Sequence, residues 1–212
     1  MTGMAPAKIH RYLASFVKSG MVAQQGAAGR YELGPFAFRI GAAAVSKINV
    51  LKVAGERLGN LRDRVELTCC VCGWSDIGPL VLHWEDSRRP ITVNVRSGNN
   101  LPLLRSASGR VFLAFGDQEL IAAVLATEMA ATGMSDSQVE DLRKATRERG
   151  LGFVSGDYHK DITSFAAPLF DPSGDLAGSV AVLGLSDEFD ASTRGRTAQL
   201  LNSFAKDVAQ RA

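Results

Sequence analysis

Between Pro6 and Gly34 the apolar spacing switches from helical to strand-like within a few residues, and this switch restricts the fold more than any other feature of the chain. Pro6 suits the first turn of a helix, where its missing N–H costs nothing. Ile9, Leu13 and Phe16 follow at i, i+4 and i+7, with Tyr12 and Val17 beside them, which predicts one apolar stripe on a helix. Lys8, Arg11, Ser15 and Lys18 make the other side polar and basic, and Gly20 is a natural stop. Residues 21–23 then read as a short strand, 24–29 as a turn, and 30–34 as a returning strand, which together make a hairpin. A helix followed directly by a hairpin predicts the second half of a winged helix-turn-helix. In such folds the helix enters the major groove and the hairpin touches the DNA backbone.

Charge follows the same division. Residues 1–50 hold six basic residues and one acidic residue, for a net charge of +5, while the remaining 162 carry a net charge of −3. A basic head on a mildly acidic body fits a polyanion-binding end. A plain solvated surface fits it as well, so charge alone does not choose.

Thr2-Gly3, then His10-Arg11 ahead of Leu13, resemble the recognition-helix segment of IclR-type bacterial transcriptional regulators. Gly29-Arg30-Tyr31-Glu32-Leu33-Gly34 looks like the wing-to-linker passage of that family. The resemblance implies DNA contact through Ala7, Lys8 and Arg11 on the helix and Arg30 on the wing. Lys8 and Arg11 have the reach for guanine edges or phosphates. The family pattern places two further helices ahead of the recognition helix, which would bury Ile9, Leu13 and Phe16. Here the chain starts almost at the turn, so a partial winged helix-turn-helix is expected over residues 1–34. Residues 35–50 are alanine-rich with Pro35 at the start, which predicts a helix. The resemblance makes it the interdomain linker helix and implies a homodimer or homotetramer.

The rest of the chain, residues 51–212, mixes both periods. A helix over 51–64 buries Leu51, Ala54, Leu58 and Leu61. Residues 65–72 are strand-like, with Leu67, Cys69 and Val71 on one face and Thr68, Cys70 and Cys72 on the other. Strands are expected at 80–84, 91–95, 153–154, 164–170 and 176–183, with a turn at 171–175. Helices are expected at 106–115, 117–126 and 136–149, the last opened by a Ser135–Gln138 capping box with Met134 and Val139 as its staple. A final helix over 189–211 buries Leu201, Phe204, Ala205 and Val208. Hairpins flanked by helices predict an α+β domain with a mostly antiparallel sheet. Leu101-Pro102-Leu103-Leu104-Arg105-Ser106 and Phe165-Ala166-Ala167-Pro168 are similar to segments of the GAF-like effector-binding domain of the same family.

In that family the effector pocket lies beside the helix opening after the Leu-Pro-Leu segment. Free N–H groups at such a terminus, here those of Ala107, Ser108 and Gly109, attract a carboxylate. Ser106 or Ser108 adds a hydroxyl, or serves only as a cap. Where relatives that bind small oxo-acids place polar residues, this chain has Val154, Ala181 and Leu183, with Ser164 retained. The implied effector is a small organic acid with a bulky apolar or aromatic body.

Catalysis has little support. The sequence has no Gly-rich phosphate loop, no His-Glu-x-x-His and no paired Cys-x-x-Cys. Cys70 and Cys72, with His83 near in sequence, form an incomplete metal or nucleophile set. No catalytic residue, metal or cofactor is therefore expected. The clustered cysteines make a poor disulfide framework. A run of apolar residues long enough for a membrane span or a signal peptide is absent, so a cytoplasmic location is expected. Three functions remain in play: an effector-responsive DNA-binding regulator, a stand-alone small-molecule-sensing module without DNA binding, and a thiol or hydrolytic enzyme.

Overall fold

The apolar stripe and the hairpin behind it form α1 (Pro6–Lys18), β1 (Val22–Gln25) and β2 (Arg30–Leu33) in the computed structural model, which describes residues 4–25, 30–46, 49–88 and 95–212. β1 and β2 pair antiparallel, with Val22 opposite Leu33 and Gln25 opposite Arg30. The expected Thr2-Gly3 turn and most of the turn over 24–29 lie outside the described residues. Helix α2 (Pro35–Ser46) follows, its start tied to the turn after α1 by Phe36 N–H donating to Gly20 O at 3.0 Å. Helix α1 has no buried residue. Ile9 and Leu13 are half-buried, while Tyr12, Phe16 and Val17 are exposed. These elements belong to the smaller of two compact units, Met1–Ile48, and the larger is Asn49–Ala212.

The larger unit is an α+β layer structure. Its sheet has five strands in the order β4-β3-β7-β6-β5, and every pairing is antiparallel. The strands are β3 (Thr68–Ser75), β4 (Gly78–Glu85), β5 (Gly152–Ser155), β6 (Ile162–Phe170) and β7 (Leu176–Leu185). The predicted strand over 91–95 lies outside the described residues except for Val95, which is buried.

Alternation along the strands splits the core in two. Cys69, Val71, Phe165, Val180 and Val182 face α3 (Asn49–Val65) and α7 (Arg196–Arg211). Leu51, Ala54, Leu58 and Leu61 of α3 meet them, as their i, i+3, i+7, i+10 spacing predicts. Cys70, Cys72, Ala166 and Ala181 face the opposite way, toward α4 (Ala107–Phe115). Helices α5 (Gln118–Thr132) and α6 (Asp136–Arg149) extend this second layer through Ile121 and Val139. The Ser135 capping box is present with both reciprocal bonds, and Met134 and Val139 share one apolar cluster.

Several boundaries differ from expectation, three of them for a clear local reason. The last helix begins at Arg196, not at 189, because polar side chains satisfy the backbone ahead of it: Ser192 N–H donates to Asp190 Oδ1 and Arg194 N–H to Ser192 Oγ. Phe189 instead packs against Phe165, ring centroids 5.4 Å apart. Strand β3 starts at Thr68, since Val65 still belongs to α3 and Glu66 turns the chain at φ 58°. Helix α5 runs on past 126 to Thr132, through a stretch without glycine or proline that ends at Gly133. No helix among the described residues is long and apolar enough to cross a membrane.

Candidate functional site

Strand register builds the floor of a cavity between α4 and the sheet. Ala166 stands opposite Ala181, Ala181 opposite Cys70, and Cys70 opposite Trp84. Ala181, Cys70 and the Trp84 indole of this row line the space beneath α4, and Ala166 packs beyond its edge. A second row sets Val154 opposite Ser164 and Ser164 opposite Leu183. The cavity holds about 510 Å³ of atom-free space, its open mouth included.

Helix α4 is fixed at its start. Ser106 caps it, with Gly109 N–H donating to Ser106 Oγ at 2.9 Å and Ser106 Oγ donating to Pro102 O at 2.6 Å. Gly109 lies against the Pro102 and Leu103 carbonyls, and Gly152 of β5 lies against the Ala107 carbonyl; a Cβ at either would collide with backbone. Only glycine allows these two approaches. Glu128 of α5 holds the preceding turn, accepting from Leu103 N–H at 2.6 Å and Leu104 N–H at 2.9 Å.

Of the three amides expected to be free, Gly109 N–H is taken by the cap, and Gly109 is not part of the cavity wall. The Ala107 and Ser108 N–H groups have no protein acceptor among the described residues. Ser106 and Ser108 both line the cavity, but with different chemistry. The Ser106 hydroxyl is spent on its cap. Ser108 Oγ is buried near the Cys72 thiol and makes no well-formed hydrogen bond among the described residues.

Ala107, Val154, Ser164, Ala181 and Leu183 also line the wall. Sequence reasoning did not assign Cys70, Val95, Leu101, Tyr158, His159 and Ile162 to it, and Trp84 lines it as well. Asp, Glu, Lys and Arg are absent from the wall among the described residues. The β5–β6 loop is anchored by Arg110, which donates to Phe153 O of β5 and pairs with the Asp157 carboxylate, and by Arg105 Nε donating to Asp157 O at 2.7 Å. Burial lowers the Arg110 pKa, and Asp157 opposes that shift.

The thiols do not assemble a reactive centre with His83. Cys70 and Cys72 lie on the α4 face, Sγ to Sγ 3.9 Å. His83 pairs with Val71 and packs against Gly55 of α3, on the other face. The contact with Cys72, together with burial, pushes the Cys70 thiol up. Burial likewise raises Cys69. Among the described residues no group of three or more His, Cys, Asp or Glu is placed to hold a metal.

In the smaller unit, Ala7, Lys8 and Arg11 are exposed on α1, and Arg30 is exposed on β2. Ser15 Oγ donates to Arg11 O at 3.1 Å, within the basic face.

Comparison with known proteins agrees over nearly the whole chain. Residues 42–210 match the family model of the bacterial transcriptional regulator IclR C-terminal domain. The crystal structure of Pseudomonas aeruginosa HmgR is 33% identical, with a TM-score of 0.72, covering 99% of this chain and 85% of that one. An IclR transcriptional regulator from Alicyclobacillus acidocaldarius shares the fold at a TM-score of 0.78 and 20% identity, covering 98% and 86%. The transcriptional regulator KdgR of Dickeya chrysanthemi is 22% identical over 97% of this chain and 69% of its own length. The Escherichia coli transcriptional repressor IclR is 24% identical over 86% and 69%. The chain therefore belongs to the IclR family of bacterial transcriptional regulators.

Proposed function

We propose that the chain is an effector-responsive DNA-binding regulator that acts by binding, without turnover, in the cytoplasm. The larger unit takes a small organic acid in the cavity under α4. The smaller unit meets operator DNA through Ala7, Lys8, Arg11 and Arg30. Assembly as a homodimer or homotetramer is proposed from family membership.

One observation carries the effector half: the start of α4 sets the Ala107 and Ser108 N–H groups, which have no protein acceptor among the described residues, and the Ser108 hydroxyl beside a cavity whose described wall residues carry no fixed charge. Helix N-termini attract anions, more strongly where water is excluded. A carboxylate satisfies those groups. Val154, Ala181 and Leu183 surround the acid's body, which favours a bulky apolar or aromatic one. Ser164 adds the small polar group of that row. In a thermal-shift screen of the full chain, aryl acids such as benzoate raise the melting temperature. Stabilisation by small, fully polar acids alone contradicts the apolar part of the proposal.

A second function stands beside it, a sensing module without DNA binding. DNA titrations separate the two. The regulator binds duplex DNA with a salt-dependent affinity, and replacing Lys8 or Arg11 by Ala lowers the salt slope by about 1 each. A chain that ignores DNA at low salt acts by sensing alone.

A further inference from the structure

One polar group of the cavity wall is not explained by a carboxylate at α4. His159 lies in the loop between β5 and β6 with its ring against Tyr158, centroids 4.4 Å apart, and both residues line the cavity. His159 Nε2 is buried and meets no hydrogen-bond partner among the described residues. Folded proteins pair nearly all such groups, since an unmet one costs its full desolvation.

The loop holds the ring there firmly. Ile162 N–H donates to His159 O at 3.0 Å, and Arg105 and Arg110 anchor the neighbouring Asp157. Two other polar side chains of the wall are already used: Trp84 Nε1 donates to Asp86 Oδ1 at 2.7 Å, and the Ser106 hydroxyl serves the α4 cap. A ligand that fills the cavity is a group able to satisfy Nε2.

We infer that His159 is a ligand-binding residue that selects, among the acids the cavity takes, those bearing a second polar group on the apolar body, a hydroxyl or a carbonyl. This rests on the cavity being an organic-acid site. A neutral imidazole carries one donor and one acceptor, so it matches a hydroxyl in either sense. A site built to bond a hydroxyl rejects the analogue lacking it, because its own polar group is then left unpaired.

Calorimetric titration of the full chain with benzoate and with 2-, 3- and 4-hydroxybenzoate tests this. At least one hydroxybenzoate binds about tenfold or more tightly than benzoate. His159→Phe keeps the ring contact with Tyr158 and removes the nitrogen. In that variant the hydroxyl preference disappears while benzoate affinity stays within a few-fold. His159→Gln, whose amide nitrogen reaches toward the Nε2 position, restores part of the preference; it also serves as the comparison if the phenylalanine variant does not fold. The inference is overturned if benzoate binds as well as every hydroxybenzoate, if the preference survives His159→Phe, or if that variant weakens all four acids alike. Failure of all four acids to bind the unaltered chain removes the organic-acid site itself, and this inference with it.

Discussion

Replacing Ala181 by Leu separates ligand binding from folding. Ala181 sits in the floor row between Ala166 and Cys70, 4% exposed, with the cavity above it. Leucine adds three carbons to a side chain of the cavity wall. At about 0.8 kcal/mol per buried CH₂, burying them contributes roughly 2 kcal/mol. Ordering the new side chain costs about 0.5–1 kcal/mol, which leaves a net gain of about 1–2 kcal/mol. For a unit of this size, about 2–4 °C per kcal/mol makes the melting temperature rise by roughly 2–8 °C. The same carbons occupy the ligand's place, so benzoate binding is lost. Scanning calorimetry and ligand titration on one preparation read both effects. A melting temperature that falls instead shows a floor already close-packed, since overpacking costs about 1–3 kcal/mol. A rise with benzoate affinity intact shows that the acid binds elsewhere. Either result refutes the reasoning.

Phe165, fully buried between Phe153 and Phe189, anchors the core on the other side of the sheet. Phe165→Ala lowers stability by about 3–5 kcal/mol in denaturant titrations, and it leaves the cavity wall untouched. Ser106→Ala removes the α4 cap at a cost of about 0.5–2 kcal/mol; benzoate affinity falls with it, because the Ala107 and Ser108 amides lose their fixed direction. Burial raises the Cys69 pKa above its ordinary value of 9.0. Above that pH the unfolded chain releases this proton and the folded chain keeps it, so stability declines as pH rises, by about 1.4 kcal/mol per unit for this group. Denaturant titrations at pH 8 to 10 show this decline, and Cys69→Ala makes it shallower.

Local signals carried much of this fold. The Leu51, Ala54, Leu58, Leu61 stripe, the Ser135 capping box and the two faces of β3 each depend on residues a few positions apart, and period and cap chemistry express them directly. The start of α7 was missed because Asp190 and Ser192 compete locally for the backbone, a preference that a count of apolar positions does not register. The cavity was legible where α4 opens and, through the family resemblance, at Val154, Ser164, Ala181 and Leu183; the rest of its wall was opaque. Cys70, Ala181 and Ala166 become neighbours only through the antiparallel register of strands far apart in sequence. His159 joins the wall because Arg110 pairs with Asp157, 47 residues away. No periodicity encodes such a contact. Gly109 was misjudged for a smaller reason: the serine that caps the helix also takes up one of its free amides.

Crystals of the full chain grown with saturating 3-hydroxybenzoate test the organic-acid site most directly. The acid is expected in the cavity under α4, with a carboxylate oxygen about 2.7–3.2 Å from the Ala107 or Ser108 nitrogen. An empty cavity at saturating acid, or an acid bound on another face, contradicts the account.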